Sequence, residues 1–213
     1  MTKPPLRPAL LLLGSGLRDL RTARGLGLRA LARKLGLAAA DLSAWELGTR
    51  RPPAEAAAYI LGSLQAKPAE YRQLMHLHRQ SDQPAYVEDV SLPSLAERYA
   101  VRGWEWAPHE VPDIPPSAPP GILLVSETAW RAAGELTRPA HVTVHVVPDA
   151  AGTSHAFRIL ELASGTITVI LDHEHARIHL GDSPTIARYR ATFTRLHRKA
   201  LDRAREAAAT PTR

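Results

Sequence analysis

Cysteine is absent from the 213 residues, which excludes a disulfide framework, a thiolate zinc site and a cysteine nucleophile, and is compatible with a cytoplasmic location. Lysine is scarce. Only Lys3, Lys34, Lys67 and Lys199 accompany 23 arginines, so arginine abundance reflects overall residue usage and is not by itself a sign of phosphate binding. Long apolar runs are missing too: Lys3 and Arg7 precede the run Ala9 to Leu13, which is too short to cross a bilayer, and no small-x-small cleavage site follows. Residues 1–13 are expected to be a short N-terminal arm, with neither membrane insertion nor secretion.

What is present supports a packed protein, with 45% hydrophobic residues and a net charge of +6. The charge is unevenly placed. Residues 1–80 hold 13 Lys and Arg against 5 Asp and Glu, whereas the remaining residues hold 14 against 16, so an anionic partner would meet the N-terminal third. Proline accumulates between Gln80 and Pro120, where periodicity weakens, and residues 83–120 read as a proline-rich linker with one short helix near Ser94 to Val101.

On the N-terminal side, residues 14–82 carry apolar residues at helical spacing in five short segments. Leu17 and Leu20 mark the first, Leu28, Leu31, Ala32 and Leu35 the second, and Leu42 and Trp45 the third; a fourth follows Pro52-Pro53 and a fifth runs from Pro68 to Arg79. Beyond residue 121 the period becomes two. Ile122 to Val125, His141 to Val147, Phe157 to Leu162, Thr166 to Leu171 and Arg177 to Leu180 read as strands, with a hairpin turn at Ala163-Ser164-Gly165 and a final helix from Pro184. The expected fold class is α+β, an all-α five-helix domain followed by a small mixed domain over 121–213.

Leu28 to Pro53 forms helix, glycine turn and helix, the arrangement that presents a recognition helix to the DNA major groove. Leu31-Ala32-x-x-Leu35-Gly36, Leu42-Ser43-x-Trp45-Glu46-x-Gly48 and Arg50-Arg51 before Pro52 resemble the Cro/CI-type (Xre) helix-turn-helix regulators. That resemblance implies double-stranded DNA as partner, a homodimer and a role in transcription, with Ala39, Ala40, Asp41, Ser43 and Ala44 on the recognition helix. Arg21, Arg24, Arg29, Arg33, Lys34, Arg50 and Arg51 are the candidate phosphate contacts. The base-reading positions depart from the family pattern, since alanine can touch a thymine methyl but cannot bond a base edge. A second likeness lies in Trp104-Glu105-Trp106-Ala107-Pro108, Val142 to Pro148 and Ala187 to Leu196, which resemble the uncharacterised domain that follows this motif in actinobacterial regulators. It implies a signal-sensing or dimerisation role.

The competing reading is a degenerate helix-turn-helix serving as an antitoxin-like adaptor or co-regulator, with a small acidic protein or a small-molecule effector as partner. An enzyme is a weaker third reading, because Gly14-Ser15-Gly16 lacks the lysine of a phosphate loop and no nucleophile, base or paired carboxylate assembles. Trp104, Trp106 and Trp130 could line a pocket, although alternate aromatics more often belong to a core. His173, His175 and His179 would share a face only on a continuous strand, so no metal and no cofactor is expected.

Overall fold

The computed structural model describes residues 7–89, 94–133 and 138–209. The first five helices are α1 (Pro8–Thr22), α2 (Leu28–Leu35), α3 (Ala39–Glu46), α4 (Ala54–Ser63) and α5 (Pro68–Gln80). Pro8 presets the first turn of α1. Gly36 ends α2 in the left-handed region at φ 66°, letting the Leu37 amide donate back to the Ala32 carbonyl at 2.9 Å. The Glu70 carboxylate accepts from the Lys67 amide at 3.1 Å and fixes the start of α5.

After these come β1 (Ala85–Asp89), α6 (Leu95–Tyr99), β2 (Ala100–Ala107), β3 (Gly121–Ser126), α7 (Glu127–Ala132) and β4 (Val142–Val147). A 3-10 turn at Asp149–Ala151 leads to β5 (Phe157–Leu162), β6 (Ile167–His173), β7 (Ala176–Leu180) and α8 (Ser183–Ala209). The strands form one seven-stranded sheet in the order β1-β7-β6-β5-β2-β3-β4, parallel only where β3 meets β2 and β4. The fold is therefore α+β: a helical module, then a mixed sheet with a C-terminal helix.

Alternation along the strands gives the sheet two apolar faces. Trp106, Leu124, Phe157, Ile159 and Val169 pack against Ile186, Phe193, Leu196 and Ala200 of α8. On the opposite face Leu160, Leu162 and Ile170 join a second core with Leu12, Leu17, Leu61 and Leu77 of the helical module and with Leu95, Ala96 and Tyr99 of α6. Helical module, sheet and α8 are stacked as three layers, and the second core runs across the junction.

Two boundaries differ from the sequence reading. Ala9 to Leu13 are not an arm but the first turns of α1, buried throughout. The helix lies inside the molecule, against α3, α5, α6 and β1, so its N-terminal half has no polar face and shows no helical period. Residues 83–120 are not a linker either. They carry β1, α6 and β2, and β2 sits between β5 and β3 inside the sheet. Pro84 precedes β1 and Pro108 follows β2, so the prolines bracket strands instead of interrupting them.

Candidate nucleic-acid interface

α3 packs its inner side on the module through Leu42, Trp45 and Glu46, all buried. Two devices hold its C-terminal end against α1. Gly14 lets the chains touch, since a Cβ there would lie 2.5 Å from the Trp45 carbonyl oxygen. The Arg21 guanidinium then grips the Glu46 carboxylate in two hydrogen bonds, 2.6 Å from Nε to Oε1 and 2.7 Å from Nη2 to Oε2, and donates a third to the Leu26 carbonyl at 2.7 Å. The hydrogen bond to Glu46 raises the Arg21 pKa against the cost of burial.

Arg21 is therefore no phosphate contact, because its donors point inward and its side chain is buried. Arg24 is likewise occupied, donating to the Leu20 carbonyl at 2.9 Å and the Gln65 carbonyl at 2.8 Å. Arg50 pairs with Asp41 and Arg51 with Asp82, which also holds Arg7 at 2.8 Å. These arginines are spent on helix ends and carboxylates. Arg29, Arg33 and Lys34, by contrast, are exposed on α2 and have no ion-pair partner among the described residues.

On α3 the helical repeat lines up Ala40, Ser43, Ala44 and Leu47 away from the core, with Ala40 exposed, Ser43 and Ala44 half-buried and Leu47 37% exposed. Ala39 instead packs partly on the core, so it is not an outward-facing position. Asp41 is half-buried and turned toward Arg50. The outer face offers methyl groups and one hydroxyl, and the helix before it carries the exposed Arg29, Arg33 and Lys34. Gly48, at φ 65°, closes α3 with its Cα so near Leu11 that a Cβ would lie 2.9 Å from the Leu11 Cα.

The remaining candidates are dispersed. Trp106 is core, 1% exposed, its Nε1 donating to the Thr153 carbonyl at 3.0 Å. Trp104 lies on the same face of β2 near Arg102 and Arg190, whereas Trp130 is exposed on α7, so the three do not line one pocket. His173 ends β6, His175 sits in the following turn and His179 is buried on β7, so the proposed shared face does not form. His145 instead meets His197 of α8 with the rings tilted by 57° and their centres 4.8 Å apart, and burial together with that neighbour lowers its pKa.

A row of alternating charges on the face toward the helical module was not legible in the sequence. Arg177 lies 3.2 Å from Glu88 and 3.2 Å from Asp172, and Arg158 lies 2.7 Å from Asp172 and also pairs with Glu97 of α6. The row crosses β1, β7 and β6 in register and steps diagonally from Asp172 to Arg158 on β5, so it follows from the strand order and not from any spacing in the sequence. Buried Glu88 is pushed up by desolvation, but His179, 3.1 Å away, and Arg177 outweigh this and its pKa falls below the ordinary value.

Residues 12–74 match the family model of a helix-turn-helix domain, and residues 134–209 match a domain of unknown function (DUF5753). No curated protein and no solved structure matches. Among the described residues no helix is long and apolar enough to cross a membrane. The chain thus carries a helix-turn-helix domain, which suggests DNA binding, ahead of a C-terminal region similar to that domain of unknown function.

Proposed function

We propose that the protein is a DNA-binding transcriptional regulator of the Xre type, acting in the cytoplasm as a homodimer and without catalytic activity. The observation that carries this reading is the pairing of a helix-turn-helix with three exposed cations, Arg29, Arg33 and Lys34, that have no ion-pair partner among the described residues and lie on the helix before α3. Each phosphate neutralised by such a residue releases counterions, so three contacts per protomer give a salt slope of about −3, or about −5 to −6 for a dimer on two half-sites. Fluorescence anisotropy on genomic duplexes over a salt series tests it. Binding that ignores salt, or no binding at low salt, removes the proposal.

A second reading is favoured by the outer face of α3, where Ala40, Ala44 and Leu47 offer no side chain that can bond a base edge in two places. In that reading the stripe meets a protein partner that supplies the sequence preference. Selection from random duplexes separates the two: an enriched motif supports the regulator, and its absence alongside salt-dependent binding supports the adaptor.

A further inference from the structure

Between the sheet and α6 lies a cavity of about 620 Å³, a volume typical of sites for small organic molecules. Its floor is the face of β2, β3 and β5 that bears Gly103, Glu105, Leu123, Arg158 and Leu160, and α6 forms one wall with Glu97 and Arg98. The other wall is the connection from β2 to β3, which must run back along the sheet because the two strands are parallel. Pro112, Ile114, Pro115 and Pro119 make that wall apolar and stiff, so little order remains to be gained when a ligand enters. Gly103 and Gly121 let β2 and β3 meet closely at this end of the floor: a Cβ on Gly121 would lie 1.8 Å from the Gly103 carbonyl oxygen, and one on Gly103 would press on Leu160 and Pro119 at 3.3 Å.

The polar groups of the cavity are unequal. Arg158 is held between Asp172 and Glu97, and Arg98 between Asp19 at 3.4 Å and Glu70 at 3.3 Å. Glu105 is the Cα neighbour of Arg158 across the β2 and β5 pair, yet it has no hydrogen bond or ion pair among the described residues. Asp113, exposed at the rim, has none either. The cations are already neutralised, and the unmatched charge facing the cavity is negative.

We propose that this cavity binds a compact, mostly apolar amine whose ammonium group pairs with the Glu105 carboxylate. The apolar walls bury the body of such a molecule, and its charge completes the alternating row at the point where the chain leaves it unmatched. Burial, with Asp172 adding to it, pushes the free Glu105 carboxyl up to about 7, as befits an acid without a countercharge. An acidic ligand would meet Glu105 and Asp113 unscreened, because Arg158 and Arg98 are already paired.

Isothermal titration of the full chain at pH 8 with tryptamine and phenethylamine, and with the neutral analogues tryptophol and 2-phenylethanol, tests the proposal. The expected result is one site per chain for an amine and at least about tenfold weaker binding of its alcohol. Glu105→Gln should reduce the amine to the level of the alcohol. A measurement needing no variant accompanies it: the Glu105 carboxyl titration followed by carbon NMR should move to lower pH when tryptamine is added. No amine binding at millimolar concentration, equal binding of amine and alcohol, or an unchanged Glu105 titration in the bound state overturns it.

Discussion

The helical module and the sheet leave opposite charges unmatched. Among the described residues Arg29, Arg33 and Lys34 of α2 stand in solvent without a carboxylate, whereas in the row across the sheet Arg177 and Arg158 each sit between two acids and Glu105 is left over. Basic residues are frequent in both halves, so their number does not separate a phosphate-binding surface from an ion-pair lattice. Their partners do. Of seven arginines and lysines that the sequence puts forward as phosphate contacts, Arg21, Arg24, Arg50 and Arg51 already have a partner inside the chain.

The largest test of that contrast is Arg21. Glu46→Ala strands the buried Arg21 charge and should cost about 3–5 kcal/mol in urea denaturation, whereas Arg21→Ala leaves Glu46 with Arg18 at 3.7 Å and should cost somewhat less; the double variant should cost little more than Glu46→Ala alone. The salt slope of DNA binding by the folded fraction should not change. A loss of slope with stability intact would return Arg21 to the phosphate contacts.

Glu105 comes next. Its folded pKa of about 7 exceeds the ordinary 4.5, so the folded chain holds a proton there that the unfolded chain has lost. This contribution is neutral below the unfolded value, turns against the fold as pH rises through the window, and levels off above 7. Glu105→Gln should therefore stabilise the protein by up to about 3 kcal/mol at pH 8 and hardly at all at pH 4, read as thermal or urea midpoints. Equal effects at both pH values would show that the carboxyl is not desolvated.

Smaller effects are expected on the outer surface. Arg33→Ala should flatten the salt slope by about one unit per protomer, while Arg24→Ala should leave it alone and loosen the ends of α1 and α4. Asp41→Asn frees Arg50 and, on the proposed DNA-binding reading, removes a negative charge from the surface that meets the phosphates. Affinity for all duplexes should rise a few-fold, roughly the 0.5–1 kcal/mol that an exposed ion pair represents. Unchanged affinity would place Arg50 and Asp41 away from the duplex.

The parts of the fold legible in the sequence were those with a local period. The stripe at Leu31 and Leu35, the alternation of Val142 to Val147 and the hairpin around Gly165 needed only neighbouring residues. The N-terminal half of α1 and the strand β2 escaped because their environment is set from far away. Ala9 to Leu13 are covered on every side, and β2 places Trp106 in one core and Glu105 in a cavity on the other face, so neither segment shows a simple polar side. The site followed the same rule. The positions of α2 and α3 were visible as a motif, but the pairing of Arg21 with Glu46, and the isolation of Glu105 beside Arg158, depend on contacts that no spacing announces.

The core that crosses the junction bears on how the chain is made. The helical module leaves the ribosome first, yet α1 packs on α6 and shares its core with Leu160, Leu162 and Ile170 of the sheet. At synthesis rates of about 5–20 residues per second, those residues follow the end of α5 by on the order of ten seconds. For that interval the apolar length of α1 lacks part of its cover. The helix-turn-helix region therefore reaches its final burial only when the sheet closes over it, and a newly made chain becomes competent late and as one unit.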